Sequence, residues 1–277
     1  MFRKVYSFGA ITVPVCLLML ASGCGRQSGY RQVSISGSTT VLPISQKTAE
    51  AFMDRYPDVR ISVGGGGSGV GIAAIIDGTT DIGQSSRAIR DSEINTAAGR
   101  GVDVKSYVIA MDGMAVIVNN SNGVNGLTRQ QVKDIYTGKI SNWSQVGGAD
   151  AVIVVTSRDS ASGTFEAFNE LALDKERVRP DALMQASNQA IATTVTQTPA
   201  AIGYVGLGYL SDNVKAISVD GTMPSRESVL SGEYKLARSL FMYTDGQPGG
   251  AVREYLDFVM GAEGQKLVEE LGFVPVM

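Results

Sequence analysis

The sequence predicts an α/β protein in which helices cover the faces of a largely parallel sheet. Patterns typical of strands and of helices alternate along the chain, joined by connections of only a few residues. Hydrophobic residues make up 44% and charged residues 18% of the 277 positions, so the chain can bury a substantial core. The length fits one large domain or two lobes.

The first predicted elements form a strand–helix–strand–helix–strand unit. Residues 33–36 alternate apolar and polar, which predicts a strand. Val41, Ile44 and Phe52 share one face of a helix that we expect to end near residue 56. Two further strands, over residues 59–63 and 81–83, flank a short helix. Such a unit is typical of a parallel sheet.

The remaining chain repeats this alternation without a fixed repeat. Strands are predicted over residues 114–118, 151–156, 202–205 and 240–243. Helices are predicted over residues 127–136, from residue 165, and over residues 249–271 with a break at Gly261.

Charge and histidine content exclude several functions. The net charge is −3, whereas nucleic-acid-binding proteins normally carry a basic surface. The chain contains no histidine, which excludes Ser-His-Asp and Cys-His catalytic sites and imidazole metal sites. We therefore expect no nucleic-acid partner, no metal and no cofactor.

The N-terminus has the pattern of a secretory signal peptide over residues 1–23. Arg3 and Lys4 precede an apolar run of residues 5–20, and small residues lead to Cys24. A transmembrane anchor is the alternative, but the run is short and Pro14 interrupts it. Residues 21–24 resemble a lipobox, in which Cys24 is acylated. Plain secretion is the other alternative.

Cleavage of the signal peptide before Cys24 would determine whether either cysteine is available for a disulfide. Cys16 would leave with the signal and Cys24 would carry lipid, so we expect no disulfide. Residues 24–32 then form a tether. Loss of Arg3 and Lys4 leaves 22 basic and 27 acidic residues, a net charge of −5.

Three predicted helices begin with glycine and hydroxyl residues directly after a strand. These starts lie at Ser38–Thr40, at Ser68–Gly69 and at Ser162–Thr164, the last preceded by Arg158. Helix N-termini attract anions, and in α/β sheets such loops meet at the carboxyl ends of the strands. Together they predict a binding site for a small tetrahedral oxyanion.

Each of these features also has a purely structural interpretation. Serine and threonine are ordinary helix N-caps. The glycines of residues 64–67 are compatible with a flexible linker, although a strand and a helix flank them closely. Arg158 could lie on the surface. The glycine run lacks the Gly-Lys-Ser/Thr ending of a P-loop, so ATP binding is unsupported.

At these loops the sequence resembles the phosphate-binding proteins (PstS type) of high-affinity phosphate ABC importers. The resemblance covers residues 36–40, Gly67-Ser68-Gly69, residues 81–86 and residues 158–164. Residues 134–140 with Trp143, and residues 199–205, match stretches of the family outside the site.

The resemblance implies the two-lobed periplasmic-binding-protein type II fold, in which each lobe has a central mixed sheet flanked by helices and two crossover strands join the lobes. It implies a monomeric, extracytoplasmic, lipid-anchored receptor that captures phosphate and delivers it to ABC permease subunits. The implied phosphate-binding residues are Ser38, Thr39, Thr40, Ser68, Ser86, Arg158, Ser162, Gly163 and Thr164.

The sequence departs from the family where the phosphate proton is recognised. Ser86 replaces an aspartate, and Ser160 stands where the arginine loop usually has another. Asp159, one position earlier, is the remaining selectivity candidate. It either accepts the phosphate proton or orients the Arg158 guanidinium. Ala161 replaces the usual glycine of this loop.

By chain order, residues 33–112 and 243–277 would form the first lobe and residues 113–242 the second. Three other functions remain open: a receptor for sulfate or molybdate, a phosphoesterase with Ser162 or Thr40 as nucleophile, and a ligand sensor on the same scaffold. A phosphoesterase would need an activating base or a metal cluster, and the sequence indicates neither.

Overall fold

The structure is a computed structural model that describes residues 1–2 and 29–276. The predicted signal peptide and Cys24 lie outside the described residues. Within the described part of the chain, no helix combines the length and the apolar composition needed to cross a bilayer.

One mixed sheet of nine strands runs through the described residues, in the order β2-β1-β3-β11-β4-β8-β6-β7, with β9 paired to the last residues of β4. A separate parallel pair contains β5 and β10. The strands are β1 (Arg31–Gly37), β2 (Val59–Gly66), β3 (Ile82–Ser85), β4 (Val104–Val118), β5 (Gly126–Leu127), β6 (Val154–Arg158), β7 (Leu183–Gln185), β8 (Ala201–Gly206), β9 (Lys215–Ala216), β10 (Ser218–Val219) and β11 (Ala237–Asp245).

Helices pack on the faces of this sheet because each carries one apolar face. In the first helix, Ile44 and Phe52 are buried while Lys47 and Glu50 are exposed. The helices are α1 (Leu42–Arg55), α2 (Ser68–Ile76), α3 (Asp91–Gly99), α4 (Arg129–Thr137), α5 (Gly163–Leu171), α6 (Asn188–Gln197), α7 (Arg226–Leu230), α8 (Gly250–Met260) and α9 (Ala262–Glu270).

Two long antiparallel strands, β4 and β11, join the two halves of the sheet. β11 pairs with β3 on one side and with β4 on the other, and β4 continues to β8. The parallel pairs β1–β2 and β1–β3 lie in one half, and β6–β8 and β6–β7 in the other. This is the predicted two-lobed α/β architecture with two crossover strands.

Each lobe has its own hydrophobic core, and the crossover strands pass from one core to the other. On β4, Ala110 packs in the core around Phe52, whereas Met114 packs in the core around Trp143. At β11, Leu236 directly before the strand packs in the core around Trp143, and Leu240 within it packs in the core around Phe52.

Several element boundaries differ from the prediction. The glycine run is not a linker, because Gly64 and Gly66 pair with β1 as the end of β2. β4 begins ten residues before the predicted strand, since the polar residues Ser106 and Asp112 interrupt its apolar pattern. The predicted break at Gly261 is confirmed, because α8 ends at Met260 and α9 begins at Ala262.

A buried ion pair links the crossover strands at the point where the cores change. Asp112 of β4 and Arg238 of β11 are register partners, and Arg238 Nη2 lies 2.9 Å from Asp112 Oδ2. The Asp112 side chain is fully buried and the Arg238 side chain is 5% exposed. Loss of hydration raises the pKa of the Asp112 carboxyl, and the Arg238 guanidinium opposes that rise.

We expect Asp112→Ala to destabilise the protein strongly, because it leaves the Arg238 charge buried without its counter-ion. Breaking such a pair from one side costs about 3–5 kcal/mol of unfolding free energy, to be measured by urea denaturation. Asp103→Ala is the matched control: Asp103 pairs with Lys105 at the surface, so its loss is expected to change stability by less than about 0.5 kcal/mol. A loss below about 1 kcal/mol for Asp112→Ala would contradict this role.

Candidate functional site

The four loops singled out in the sequence come together between the lobes. Each loop follows a strand of the parallel part of the sheet: the first follows β1, the second β2, the third β3 and the fourth β6. Their polar side chains are almost completely removed from solvent, with exposures of 0–7%. These residues are Ser38, Thr39, Thr40, Ser68, Ser86, Arg158, Ser162 and Thr164. Gly163 is buried with them.

Direct contacts connect the loops of the first lobe to the loop of the second. Thr40 Oγ1 lies 2.9 Å from Thr164 Oγ1. The Gly69 backbone N–H donates to the Ala161 carbonyl oxygen at 3.0 Å. Ser68 Oγ accepts the Ser86 backbone N–H at 2.9 Å within the first lobe. The cleft between the lobes is therefore closed around these hydroxyl groups.

Glycine at position 163 is what allows this approach. A Cβ atom there would lie 2.2 Å from Ser68 Oγ and 2.9 Å from Ser86 Oγ. Gly67 is similarly required, because its φ is +104° and a Cβ would lie 2.5 Å from the Ala161 carbonyl oxygen. The second and fourth loops thus meet backbone against backbone.

Arg158 is the cationic group of the site. Its Nε donates to the Gln185 carbonyl at 3.0 Å and its Nη2 to the Ala186 carbonyl at 3.0 Å. The residue is 1% exposed, and its Nη1 has no hydrogen-bond partner among the described residues. Burial lowers the pKa of the guanidinium, which nevertheless stays charged. Two neutral acceptors fix the group and leave Nη1 for an anion.

Two helix N-termini contribute backbone N–H groups. Gly67 is the N-cap of α2 and Ser162 the N-cap of α5, where Ser162 Oγ accepts the Phe165 N–H at 3.2 Å. Ser38 Oγ accepts the Thr40 N–H at 3.1 Å. The capping interpretation therefore holds for Ser162, whereas Ser38 bonds within the turn before α1, whose N-cap is Val41. An N-cap leaves the neighbouring N–H groups in position to bind an anion.

Asp159 does not contact the Arg158 guanidinium through a hydrogen bond; its Oδ1 accepts the Ala161 N–H at 2.9 Å instead. That bond shapes the turn whose Ala161 carbonyl receives the Gly69 N–H. Ser160 is exposed. Asp159 thus stabilises the turn at Ala161 through a hydrogen bond that the sequence did not predict.

Arg87 is engaged elsewhere and connects the lobes at the edge of the cleft. Its Nη2 lies 2.7 Å from Glu93 Oε1, and its Nε lies 2.7 Å from Glu166 Oε2 at the start of α5. Arg90 also pairs with Glu166. A cavity of about 690 Å³ adjoins these ion pairs.

Asn188 and Arg238 belong to the site but were missed in the sequence. Asn188 Nδ2 donates to Thr39 Oγ1 at 3.1 Å and to Thr40 Oγ1 at 3.0 Å. Arg238 Nη2 donates to Thr40 Oγ1 at 3.3 Å. Two signals could have found them: Ser187-Asn188 opens a fourth polar helix start, and Arg238 is a charge within an apolar strand.

Among the residues that the structure describes, no cluster of three or more histidine, cysteine or acidic side chains could hold a metal ion. The arrangement is one of hydrogen-bond donors around a fixed guanidinium, which suits an oxyanion.

Comparisons with known proteins identify relatives over nearly the whole chain. The model of the PBP superfamily domain matches residues 23–263. The phosphate-binding protein PstS of Bacillus subtilis is 35% identical over 260 residues, which cover 92% of this chain and 84% of that relative. The PstS of Borreliella burgdorferi is 31% identical over 280 residues, covering 95% and 98% of the two chains.

Solved structures with a similar fold are also described as phosphate transport receptors. A Clostridium perfringens crystal structure, described as a phosphate ABC transporter substrate-binding protein with bound phosphate, superimposes with a TM-score of 0.84 at 36% identity. The match covers 89% of this chain and all of that one. An ABC-type phosphate transport receptor from Vibrio cholerae gives a TM-score of 0.72 at 32% identity, covering 87% and 99%.

We expect Gly163→Ala to prevent full closure of the cleft, because its methyl group would overlap Ser68 Oγ. In small-angle X-ray scattering with phosphate, the ligand named for the relatives, the variant should keep a larger radius of gyration than the wild type. Gly123→Ala is the control, since no atom lies within 4 Å of a Cβ at that position. Equal radii for Gly163→Ala and wild type would contradict the expectation.

Proposed function

The chain belongs to the PBP superfamily and, within it, to the family of PstS phosphate-binding proteins, and on this premise we propose that it captures inorganic phosphate between its lobes and delivers it to an ABC permease. The observation that carries the proposal is the Arg158 guanidinium, which is buried and fixed by two carbonyls, with Nη1 unpartnered among residues 29–276. Phosphate supplies the negative charge that such a group requires.

The hydroxyl and backbone donors around Arg158 support phosphate rather than a larger ligand. The loops meet closely, with Thr40 and Thr164 in contact and Gly163 against Ser68. A small tetrahedral anion can accept from hydroxyls, helix N-termini and one guanidinium at the same time. The proposed phosphate-binding residues are therefore the nine that the family resemblance implies.

The family is one of solute receptors, not of enzymes. A phosphoesterase would need a base beside Ser162 or Thr40. Ser162 Oγ accepts a backbone N–H, and the partners of Thr40 Oγ1 are a threonine, an asparagine and an arginine. None of these groups can activate a hydroxyl as a general base at neutral pH.

Lobe closure is the proposed route by which binding is signalled to the permease. We propose the lobes as residues 33–112 with 243–277, and residues 113–242, with bending of β4 and β11 where they pass between the cores. Ligand groups on both lobes favour the closed state when phosphate is bound. The Arg87–Glu166 ion pair adds a contact between the lobes that exists only when they meet.

Lipid attachment at Cys24 is also part of the proposal. The lipobox-like residues 21–24 and the signal-peptide pattern support an extracytoplasmic receptor anchored to the membrane through residues 24–32. That the receptor acts as a monomer is proposed from the family resemblance. Mass spectrometry of the N-terminal peptide from cells tests it: an acylated Cys24 is expected, and an unmodified N-terminus elsewhere would refute it.

We expect Arg158→Ala to weaken phosphate binding by at least about 30-fold in isothermal titration calorimetry. Truncating one partner of a buried charged contact costs about 2–5 kcal/mol, and each 1.4 kcal/mol is about tenfold in Kd. Arg100→Ala is the control, because Arg100 lies at the surface and pairs with Asp77 outside the cleft. A Kd for Arg158→Ala close to that of the wild type would remove Arg158 from the site.

Sulfate is the second candidate ligand, because Ser86 leaves the site without the usual carboxylate acceptor. Asp159 already accepts the Ala161 N–H, and the amide oxygen of asparagine can accept the same hydrogen bond. We therefore expect Asp159→Asn to keep its phosphate affinity and to gain no sulfate affinity. Titrating wild type and variant with both anions at one pH measures this. A gain of sulfate binding would make Asp159 the acceptor of the phosphate proton.

A further inference from the structure

Thr40 Oγ1 has three polar neighbours, and two of them can only donate. Asn188 Nδ2 lies at 3.0 Å and Arg238 Nη2 at 3.3 Å, while Thr164 Oγ1 lies at 2.9 Å. A hydroxyl oxygen has two lone pairs and one proton. With both lone pairs occupied by N–H donors, Thr40 can use its proton only toward Thr164 or toward a bound anion.

The orientation of the Asn188 amide is fixed by its other end. The Gly206 backbone N–H, which can only donate, lies 3.2 Å from Asn188 Oδ1. The opposite end of the amide must therefore be the NH2 group, whose two protons point to Thr39 Oγ1 and Thr40 Oγ1. Asn188 is fully buried, so water does not compete for these bonds.

Arg238 is held through its Nε and Nη2, whereas its Nη1 has no hydrogen-bond partner among the described residues. Its Nε and Nη2 donate to Asp112 Oδ2 at 3.2 and 2.9 Å, and the second proton of Nη2 is directed to Thr40 Oγ1. The second donor to Thr40 is thus anchored on the crossover strand β11 and neutralised by Asp112 on β4.

We propose that Asn188 and Arg238 are positioning residues that occupy both acceptor sites of the Thr40 hydroxyl, so that Thr40 acts as an obligate donor to the bound anion. Asn188 also occupies one acceptor site of Thr39. The inference rests on the proposed function and specifies how this side of the cleft selects its ligand. An anion oxygen that faces Thr40 must accept the Thr40 proton and cannot donate to it. A P–OH group of phosphate must therefore donate its proton to another wall of the cleft.

The test reverses the direction of the two hydrogen bonds that link residue 188 to Thr39 and Thr40. In Asn188→Asp a carboxylate oxygen replaces the NH2 group and accepts the hydroxyl protons of Thr39 and Thr40, which then present lone pairs to the anion. The carboxylate also repels the anion, so the variant is compared in two backgrounds, Thr40 and Thr40→Val. Repulsion acts in both backgrounds, whereas reversal of the Thr40 hydroxyl acts only in the first.

By calorimetry with inorganic phosphate at pH 8, we expect Asn188→Asp to weaken binding at least tenfold more in the Thr40 background than in the Thr40→Val background. Equal losses in both backgrounds would overturn the inference, because Asn188 would then act without Thr40. Absence of phosphate binding by the wild type would overturn the proposed function instead.

A second variant, Asn188→Leu, distinguishes hydrogen-bond donation by the Asn188 NH2 group from a purely structural role of Asn188. Its comparison between the Thr40 and Thr40→Val backgrounds also provides the test if Asn188→Asp does not fold. Leucine removes both the donor to the threonines and the acceptor of the Gly206 N–H, whereas aspartate keeps that acceptor. If Asn188 had only a structural role, Asn188→Leu would bind phosphate more weakly than Asn188→Asp. That result would contradict the inference. We expect the opposite order, and a smaller effect of Asn188→Leu in the Thr40→Val background than in the Thr40 background.

Discussion

A guanidinium group buried between two lobes is the constraint on which the site depends. Arg158 is oriented by the carbonyls of Gln185 and Ala186, which fix its plane but do not cancel its charge. A buried charge is costly unless an opposite charge meets it. An anion that reaches Nη1 while the lobes are together removes this cost, so anion binding and closure favour each other.

Arg238, the second buried arginine at the cleft, differs from Arg158 in having a carboxylate partner. Arg238 carries its own counter-ion, Asp112, on the neighbouring crossover strand. Its Nη2 also donates to Thr40 Oγ1, so the ion pair that stabilises the junction of the lobes also sets the direction of a hydroxyl in the cleft. One arginine thus serves charge recognition and the other serves orientation.

The sequence predicted what depends on local pattern. Alternation in residues 33–36, the apolar face of α1 and the hydroxyl-rich helix starts were sufficient for the α/β class and for the loops that meet in the cleft. It could not show the partners of Asp112 and Arg238, because register between strands more than a hundred residues apart is set by tertiary pairing. Asn188 was missed because no helix was predicted over residues 188–197, and because its role arises from the contact with Thr39 and Thr40.

We propose that one phosphate binds between the lobes, held by Arg158 and by hydroxyl groups that act as donors. Calorimetric titration of the wild-type protein with phosphate tests it most directly. We expect one phosphate bound per chain. Absence of binding, or more than one phosphate bound per chain, would contradict it.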